Sequence, residues 1–399
     1  MRSLSDFIQQ VEPSPTLALA ARAQELRAQG RKLVSFTVGE PDFDTPEHVK
    51  QAAREAMAKG FTKYTPVGGI PQLKGAIRGE LKRDQGIDFT PAQILATNGG
   101  KQAIATALAV LVNPGDEVII PAPYWTSYPD MVKLVGGKPV IAETTPQSGY
   151  VLTAERLLSA ITPKTKALIL NSPSNPCGTM YAPDELRAIA AVVDEAARTI
   201  APNLVVLSDE IYEKITYGGI PHFSIGSVPA IAERVVTING LSKAFAMTGW
   251  RVGYTGTSGE WGLKFTRAMG TLQGQMSTNI TSFVYPAIRA ALTQCAGDVE
   301  QMRLAFATRA ELINTRLSAI PKLRTAKATG AFYAFPDVSA YFGTTSPGGK
   351  RIANAADLCD ALLDEAHIAI VPGDDFGGYG KNHARISFAC SEDQINKGM

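Results

Sequence analysis

The chain has 399 residues, 45% hydrophobic and 19% charged, with 39 basic against 37 acidic side chains and a formal net charge of +2. This length exceeds one typical core and predicts two domains. The balanced charge, with no basic tail or acidic run, argues against nucleic acid or a membrane surface as partner.

Four cysteines, Cys177, Cys295, Cys359 and Cys390, are far apart and form no Cys-x-x-Cys pair. That spacing argues against a zinc site or a disulfide framework and for a reducing compartment. No metal is expected. No stretch approaches the roughly 20 apolar residues of a membrane helix. Residues 1–11 lack an apolar signal-peptide core, so the cytoplasm is the expected location.

In chain order, residues 16–29 predict a helix stopped by Gly30, and residues 32–38 a short strand. A turn-rich loop, Gly39 to Pro46, leads into a helix over 47–59. A second loop, 60–71, carries Lys63-Tyr64-Thr65-Pro66 and Gly68-Gly69. Long irregular loops inside a compact protein often carry function. A helix over 72–85 and a strand over 94–98 follow, then Gly99-Gly100-Lys101-Gln102 and a helix over 103–111. Strand, Gly-Gly and helix form an anion site, because backbone N–H groups at a helix start point at the ligand. Strands are expected at 116–121, 138–143 and 166–171. The first ends in Ala-Pro-Tyr-Trp125 and the last runs into a turn containing Asn175-Pro176 and Gly178.

A helix over 184–199 precedes a strand over 204–207, with Asp209, Glu210 and Tyr212 at its carboxyl end. Ligands of open α/β sheets bind outside the carboxyl ends of strands. Asp209 is therefore a candidate site carboxylate, and Tyr212, one helical turn on, is its neighbour. Glu210 and the four histidines, His48, His222, His367 and His383, read as structural or surface groups.

The stretch Asn239 to Tyr254, Asn-Gly-Leu-Ser-Lys-Ala-Phe-Ala-Met-Thr-Gly-Trp-Arg-Val-Gly-Tyr, follows a strand over 234–238. Lys243 sits in a turn of small residues, where Gly240 and Ala244 are expected to leave room for a bulky group. Arg251 follows eight residues later. A lysine amine can form an imine with an aldehyde, and an arginine can grip a phosphate with two N–H groups. Beyond this stretch, helices are expected over 260–272 and 282–318, the latter interrupted near Gly297. A small α/β unit follows, with strands at 323–326, 331–336, 368–371 and 383–389 and a helix at 354–365. Arg385 lies on the last of these strands, beside a glycine-rich loop.

Gly240, Leu241, Ser242, Lys243, Ala246, Met247, Gly249, Arg251, Val252 and Gly253 resemble, position by position, the pyridoxal phosphate (PLP) attachment motif of class-I aminotransferases. The Gly39, Tyr64, Asn175 and Arg385 strings resemble the same family, over about residues 13–393. The resemblance implies an α/β PLP-dependent transferase fold of type I, with a mostly parallel sheet, helices on both faces and a smaller α/β domain. The expected division is a large domain over 49–295, a small one over 13–48 and 296–399, and an arm over 1–12. The family's last helix normally runs further than Met399.

By the same resemblance, Lys243 carries the cofactor, Asp209 meets the ring nitrogen, and Asn175 and Tyr212 meet the phenolic oxygen. Trp125 stacks on the ring. Gly100, Lys101, Gln102, Ser242 and Arg251 surround the phosphate, joined by Tyr64 of a partner subunit in a homodimer. Gly39, Lys101, Trp125, Asn175 and Arg385 face the substrate, an amino or 2-oxo acid, with Arg385 on its α-carboxylate.

Lys101 matches a lysine of the aspartate-type branch that meets a distal carboxylate. Glu12 stands where prephenate-using relatives carry a lysine. Aspartate is the expected donor; aromatic, methionine-type and prephenate donors, or a C–S lyase of the same fold, remain open. The regulator proteins that share the fold need a DNA-binding domain ahead of it, and only about a dozen residues precede the first matched string.

Overall fold

The computed structural model describes residues 30–399 together with Arg22, Glu25, Leu26 and Ala28. The expected N-terminal arm, Glu12 and most of the 16–29 helix lie outside the described residues. Seven strands form the central sheet: β2 (Ile94–Thr97), β3 (Glu117–Ala122), β4 (Lys138–Glu143), β5 (Thr165–Asn171), β6 (Val205–Asp209), β7 (Val235–Gly240) and β8 (Gly253–Thr257). Their order is β2-β8-β7-β6-β5-β3-β4. Only β8 runs antiparallel to its two neighbours; the other pairs are parallel.

These strands read as nearly unbroken apolar runs because both faces of the sheet are covered. Alternation within each run assigns its two faces. Val118, Ile120, Ile169, Leu207, Val236 and Ile238 pack with helices Gly100–Leu111, Ser127–Leu134 and Gly259–Met276. Ile119, Leu168, Leu170, Val206 and Val235 pack on the other face with helices Ala154–Ala160 and Pro183–Thr199. The expected doubly covered, mostly parallel sheet is the one found.

A second core gathers Phe36 with Phe306, Ile313, Phe332, Ile386 and Phe388. Its strands are short. β1 (Val34–Ser35) pairs in parallel with β10 (Ile368–Ala369). β9 (Tyr333–Ala334), β11 (Val371–Pro372) and β12 (Ala384–Ser387) form an antiparallel sheet with β12 in the centre.

Several expectations are corrected. The strand over 323–326 is reduced to one bridge, Arg324 to Asp337, after a turn at Lys322 with φ 66°. The strand over 331–336 shrinks to β9, since Pro336 lacks an N–H for a ladder. The helical tract breaks at Cys295, between Tyr285–Gln294 and Ala296–Ser318, and not at Gly297. Strand β8 and helices Ser127–Leu134 and Ala154–Ala160 were not anticipated.

Candidate active site

The carboxyl ends of β3, β5, β6 and β7 open into a cleft of about 320 Å³. Its walls include Gly39, Gly100, Lys101, Trp125, Asn175, Asp209, Tyr212, Ser242, Lys243, Arg251 and Arg385, all singled out in the sequence. They come from chain segments about 350 residues apart and meet because parallel strands bring successive carboxyl ends to one edge.

Lys243 follows β7 in a tight turn. Its Nζ donates to the carbonyl of Gly39 at 2.6 Å. Burial pushes its ammonium down to about 8, opposed by Glu40 and then reinforced by Arg251 and Arg385. A proton on this nitrogen is therefore easily given up near neutral pH. The room expected beside Gly240 is not there. A Cβ at Gly240 would lie 2.7 Å from the carbonyl of Val252, so this glycine serves the close approach of β7 and β8. Ala244 likewise packs into the core.

One end of the cleft is built for an anion. Gly99, with φ 85°, precedes helix Gly100–Leu111, whose first residues, Gly100 and Lys101, line the cleft and leave the N–H groups of a helix start unbonded within the helix. A Cβ on Gly253 would lie 2.5 Å from the Gly99 carbonyl carbon, so β8 can approach this turn only with glycine there. Arg251, held in a left-handed conformation at φ 55°, lays its guanidinium against Gly99. It donates to the Thr248 carbonyl at 2.8 Å. Lys101 hangs over the Trp125 ring at 4.8 Å. Burial, and then Arg251, lower its ammonium.

Asp209 ends β6, fully enclosed. Tyr128 donates its hydroxyl to Asp209 Oδ2 at 2.7 Å, and the Ile211 N–H reaches Oδ1 at 3.3 Å. Burial raises the carboxyl to about 6 against both bonds. Tyr128 was not anticipated. Its only signal is position, three residues after Trp125 in the turn that enters helix Ser127–Leu134, where the two rings meet edge to face at 5.3 Å. Tyr212 lies in a turn rather than a helix and bonds Tyr333, a further unanticipated wall residue, at 2.9 Å between hydroxyls.

At the opposite end Arg385, on β12, is buried. Its Nη2 donates to the Thr37 carbonyl at 2.6 Å and Nη1 to Asn175 Oδ1 at 3.3 Å. Its Nε has no hydrogen-bond partner. The peptide Asn175–Pro176 is cis.

Lys101, Lys243, Arg251 and Arg385 thus face one wall carboxylate, Asp209. Burying such an excess of cations is costly unless an anion joins them. The arrangement suits a ligand with a phosphate at the Arg251 end and a carboxylate at the Arg385 end. Two expected residues are not in the walls. Gln102 turns its side chain to the Asn98 N–H and the Ser277 hydroxyl, closing its own helix start. Tyr64 is 87% exposed, away from this chain's cleft. No histidine lines the cleft. His48 meets Cys295 Sγ, His222 meets Glu210 and His383 meets Tyr150.

The enclosed carboxylate predicts a measurable cost. A carboxyl at about 6 when folded and 3.8 when exposed holds its proton more tightly in the folded chain. Its stabilising contribution is present below the exposed value and is lost as pH rises through the folded one. Asp209→Asn should therefore stabilise the protein free of small molecules by roughly 2–3 kcal/mol near pH 7.5 and far less near pH 4.5. Thermal melts at the two pH values check this, and equal shifts at both would refute it.

The model of the family described as aminotransferase class I and II matches residues 31–399. An aspartate aminotransferase of Bacillus sp. (strain YM-2) is 42% identical over 397 residues, covering 99% of this chain and 97% of that protein. An aspartate/prephenate aminotransferase of Thermus thermophilus is 43% identical, covering 100% and 97%. Among solved structures, the aspartate aminotransferase of Rhizobium meliloti superposes with a TM-score of 0.93 at 38% identity, over 100% of this chain and 97% of its own. The Thermus thermophilus enzyme with maleate gives 0.90 at 42% identity, over 100% and 98%.

Proposed function

Because the chain belongs to the class I and II aminotransferases, we propose that it moves the amino group of a dicarboxylic L-amino acid, aspartate foremost, to 2-oxoglutarate, with PLP as cofactor. The observation that carries this reading is the cleft's two-ended excess of cations around a buried, weakly basic lysine. The same donor set fits PLP, with a helix start and Arg251 for its phosphate and Asp209 for its ring nitrogen. When bound, PLP supplies an aldehyde for an amine and a cationic ring that withdraws electrons.

The protein's residues do the rest. Lys243 would hold the aldehyde, and its amine is the base placed to take the proton from the substrate Cα. Asp209 keeps a proton on the ring nitrogen, with Tyr128 orienting its carboxylate. Asn175 and Tyr212 serve the phenolic oxygen, Trp125 the ring face, and Ser242 and the Gln102 backbone the phosphate. Arg385 clamps the α-carboxylate bidentately, with Gly39 closing over it.

Lys101 is a point charge at the cleft rim, suited to a distal carboxylate. Maleate, a dicarboxylate held by the Thermus thermophilus relative, supports a diacid pocket of this kind. Lys101→Ala should lower kcat/KM for aspartate and glutamate by about 10- to 150-fold, since a charge-assisted contact contributes roughly 1.5–3 kcal/mol. Phenylalanine and methionine should be nearly unaffected. A uniform loss across donors, with weaker cofactor binding, would assign Lys101 to the phosphate and remove the case for aspartate.

We further propose two domains at the boundaries expected from the sequence, supported by separate cores, and a homodimer with shared sites. The exposed Tyr64 is supported as a residue that crosses to the partner's phosphate. Mixing Tyr64→Phe with Lys243→Ala protomers should create hybrid dimers with one intact site. Hybrids no more active than the parents would reject sharing. A cytoplasmic setting is supported by four free, buried cysteines. No helix of the described residues is long and apolar enough to cross a membrane.

A further inference from the structure

Tyr212 and Tyr333 touch hydroxyl to hydroxyl at 2.9 Å, both buried in the cleft wall. Each phenol has one proton and can accept two hydrogen bonds. Only one of the two can donate within the pair, and the other keeps its proton for something else.

Three observations decide which. Tyr333 presents its ring face to the Arg385 guanidinium, whose charge centre lies 5.0 Å from the ring centroid. Burial raises the Tyr333 phenol, and the cation there opposes that rise. Tyr212 is held protonated by burial first, then by Tyr333 itself and then by the Asp209 carboxylate, although Arg385 works the other way. Finally, the Tyr333 hydroxyl fills the space where Gly39 would carry a Cβ. The Gly39 loop therefore encloses this hydroxyl while its carbonyl accepts from Lys243.

We propose that Tyr333 is a positioning residue acting through Tyr212: its hydroxyl donates to the Tyr212 oxygen and so commits the single Tyr212 proton to the cleft. This rests on the reading of Tyr212 as a donor to the phenolic oxygen of PLP. A two-member donor chain aimed at that oxygen stabilises negative charge there more than Tyr212 alone, because successive hydrogen bonds polarise one another. The charged groups facing the pair are Arg385 from β12 and Asp209 from β6. Lys243 lies beyond them, with Glu40 and Arg251 beside it.

The test is a pH titration of the visible absorption of the substrate-free holoenzyme, a readout independent of turnover. Negative charge on the oxygen belongs to the deprotonated form, so losing a donor raises the midpoint. Tyr333→Phe keeps the ring against Arg385 and removes only the hydroxyl. It should raise the midpoint by about 0.3–0.7 units, a two- to five-fold change in proton affinity. Tyr212→Phe should raise it further, and adding Tyr333→Phe to Tyr212→Phe should then change almost nothing.

If Tyr212→Phe shifts the midpoint and Tyr333→Phe does not, or lowers it, the proposal is overturned while the site reading stands. An equal Tyr333→Phe shift in both backgrounds also overturns it, because the hydroxyl then acts without Tyr212. If neither variant moves the midpoint, the assignment of Tyr212 itself fails.

Discussion

Lys243→Ala should reduce transamination by at least about 10⁴-fold, because on the proposed reading one nitrogen both holds the cofactor and moves the substrate proton. General acid–base catalysis alone contributes about 10²–10⁴-fold, and covalent attachment adds to that. The residue is not needed for the fold. Its Nζ makes one hydrogen bond, to the Gly39 carbonyl, and its charged form is disfavoured by burial. The variant should therefore melt no lower than the parent while losing the visible absorption of the holoenzyme. An active Lys243→Ala protein would end the PLP reading outright. A variant that is inactive but also unfolded would be resolved by Lys243→Arg, which keeps a cation and cannot perform the chemistry.

Arg385→Ala should lower kcat/KM for every amino donor alike, by about 10²- to 10³-fold, or roughly 3–4 kcal/mol. The α-carboxylate is common to all donors, so the loss should not depend on the side chain, in contrast to Lys101→Ala. Arg385→Lys should recover only part of it, since an ammonium lacks the planar fork that matches two carboxylate oxygens. The two donors already committed to Thr37 and Asn175 hold the guanidinium in place before any ligand arrives, and the Nε is left with its N–H unpaired. A donor-selective loss in Arg385→Ala would move the α-carboxylate clamp elsewhere.

The walls of this cleft were legible where function sits on contiguous residues at strand ends. Lys243, Asp209, Asn175 and the Gly99–Gly100 turn each follow a buried apolar run, and such runs announce themselves. Tyr128 and Tyr333 did not. They act through hydroxyl contacts to Asp209 and Tyr212, residues 81 and 121 positions away, and no local spacing encodes such a contact. Gly240 misled for a related reason. Small residues beside a lysine look like space for a ligand, but here the space is taken by the neighbouring antiparallel strand. That strand, β8, was itself overlooked because Gly253-Tyr-Thr-Gly-Thr257 carries two glycines and little apolar alternation. The strands of the small sheets are shorter than their apolar patterns suggest, because they end at turns and at Pro336 after two to four residues.

The bond from Arg385 to the Thr37 carbonyl spans 348 residues. A ribosome adding about 5–20 residues per second needs roughly 20–70 s to cover that distance. For the last 128 residues of that span, after β8 ends at Thr257, the central sheet, Lys243, Asp209 and Arg251 are already synthesised, yet β1 still waits for β10 and Arg385 is still missing from the cleft. A nascent chain can thus acquire the cofactor end of its site well before it can recognise an amino acid. On the proposed reading, the last part of the site to be synthesised is the one that selects what enters it.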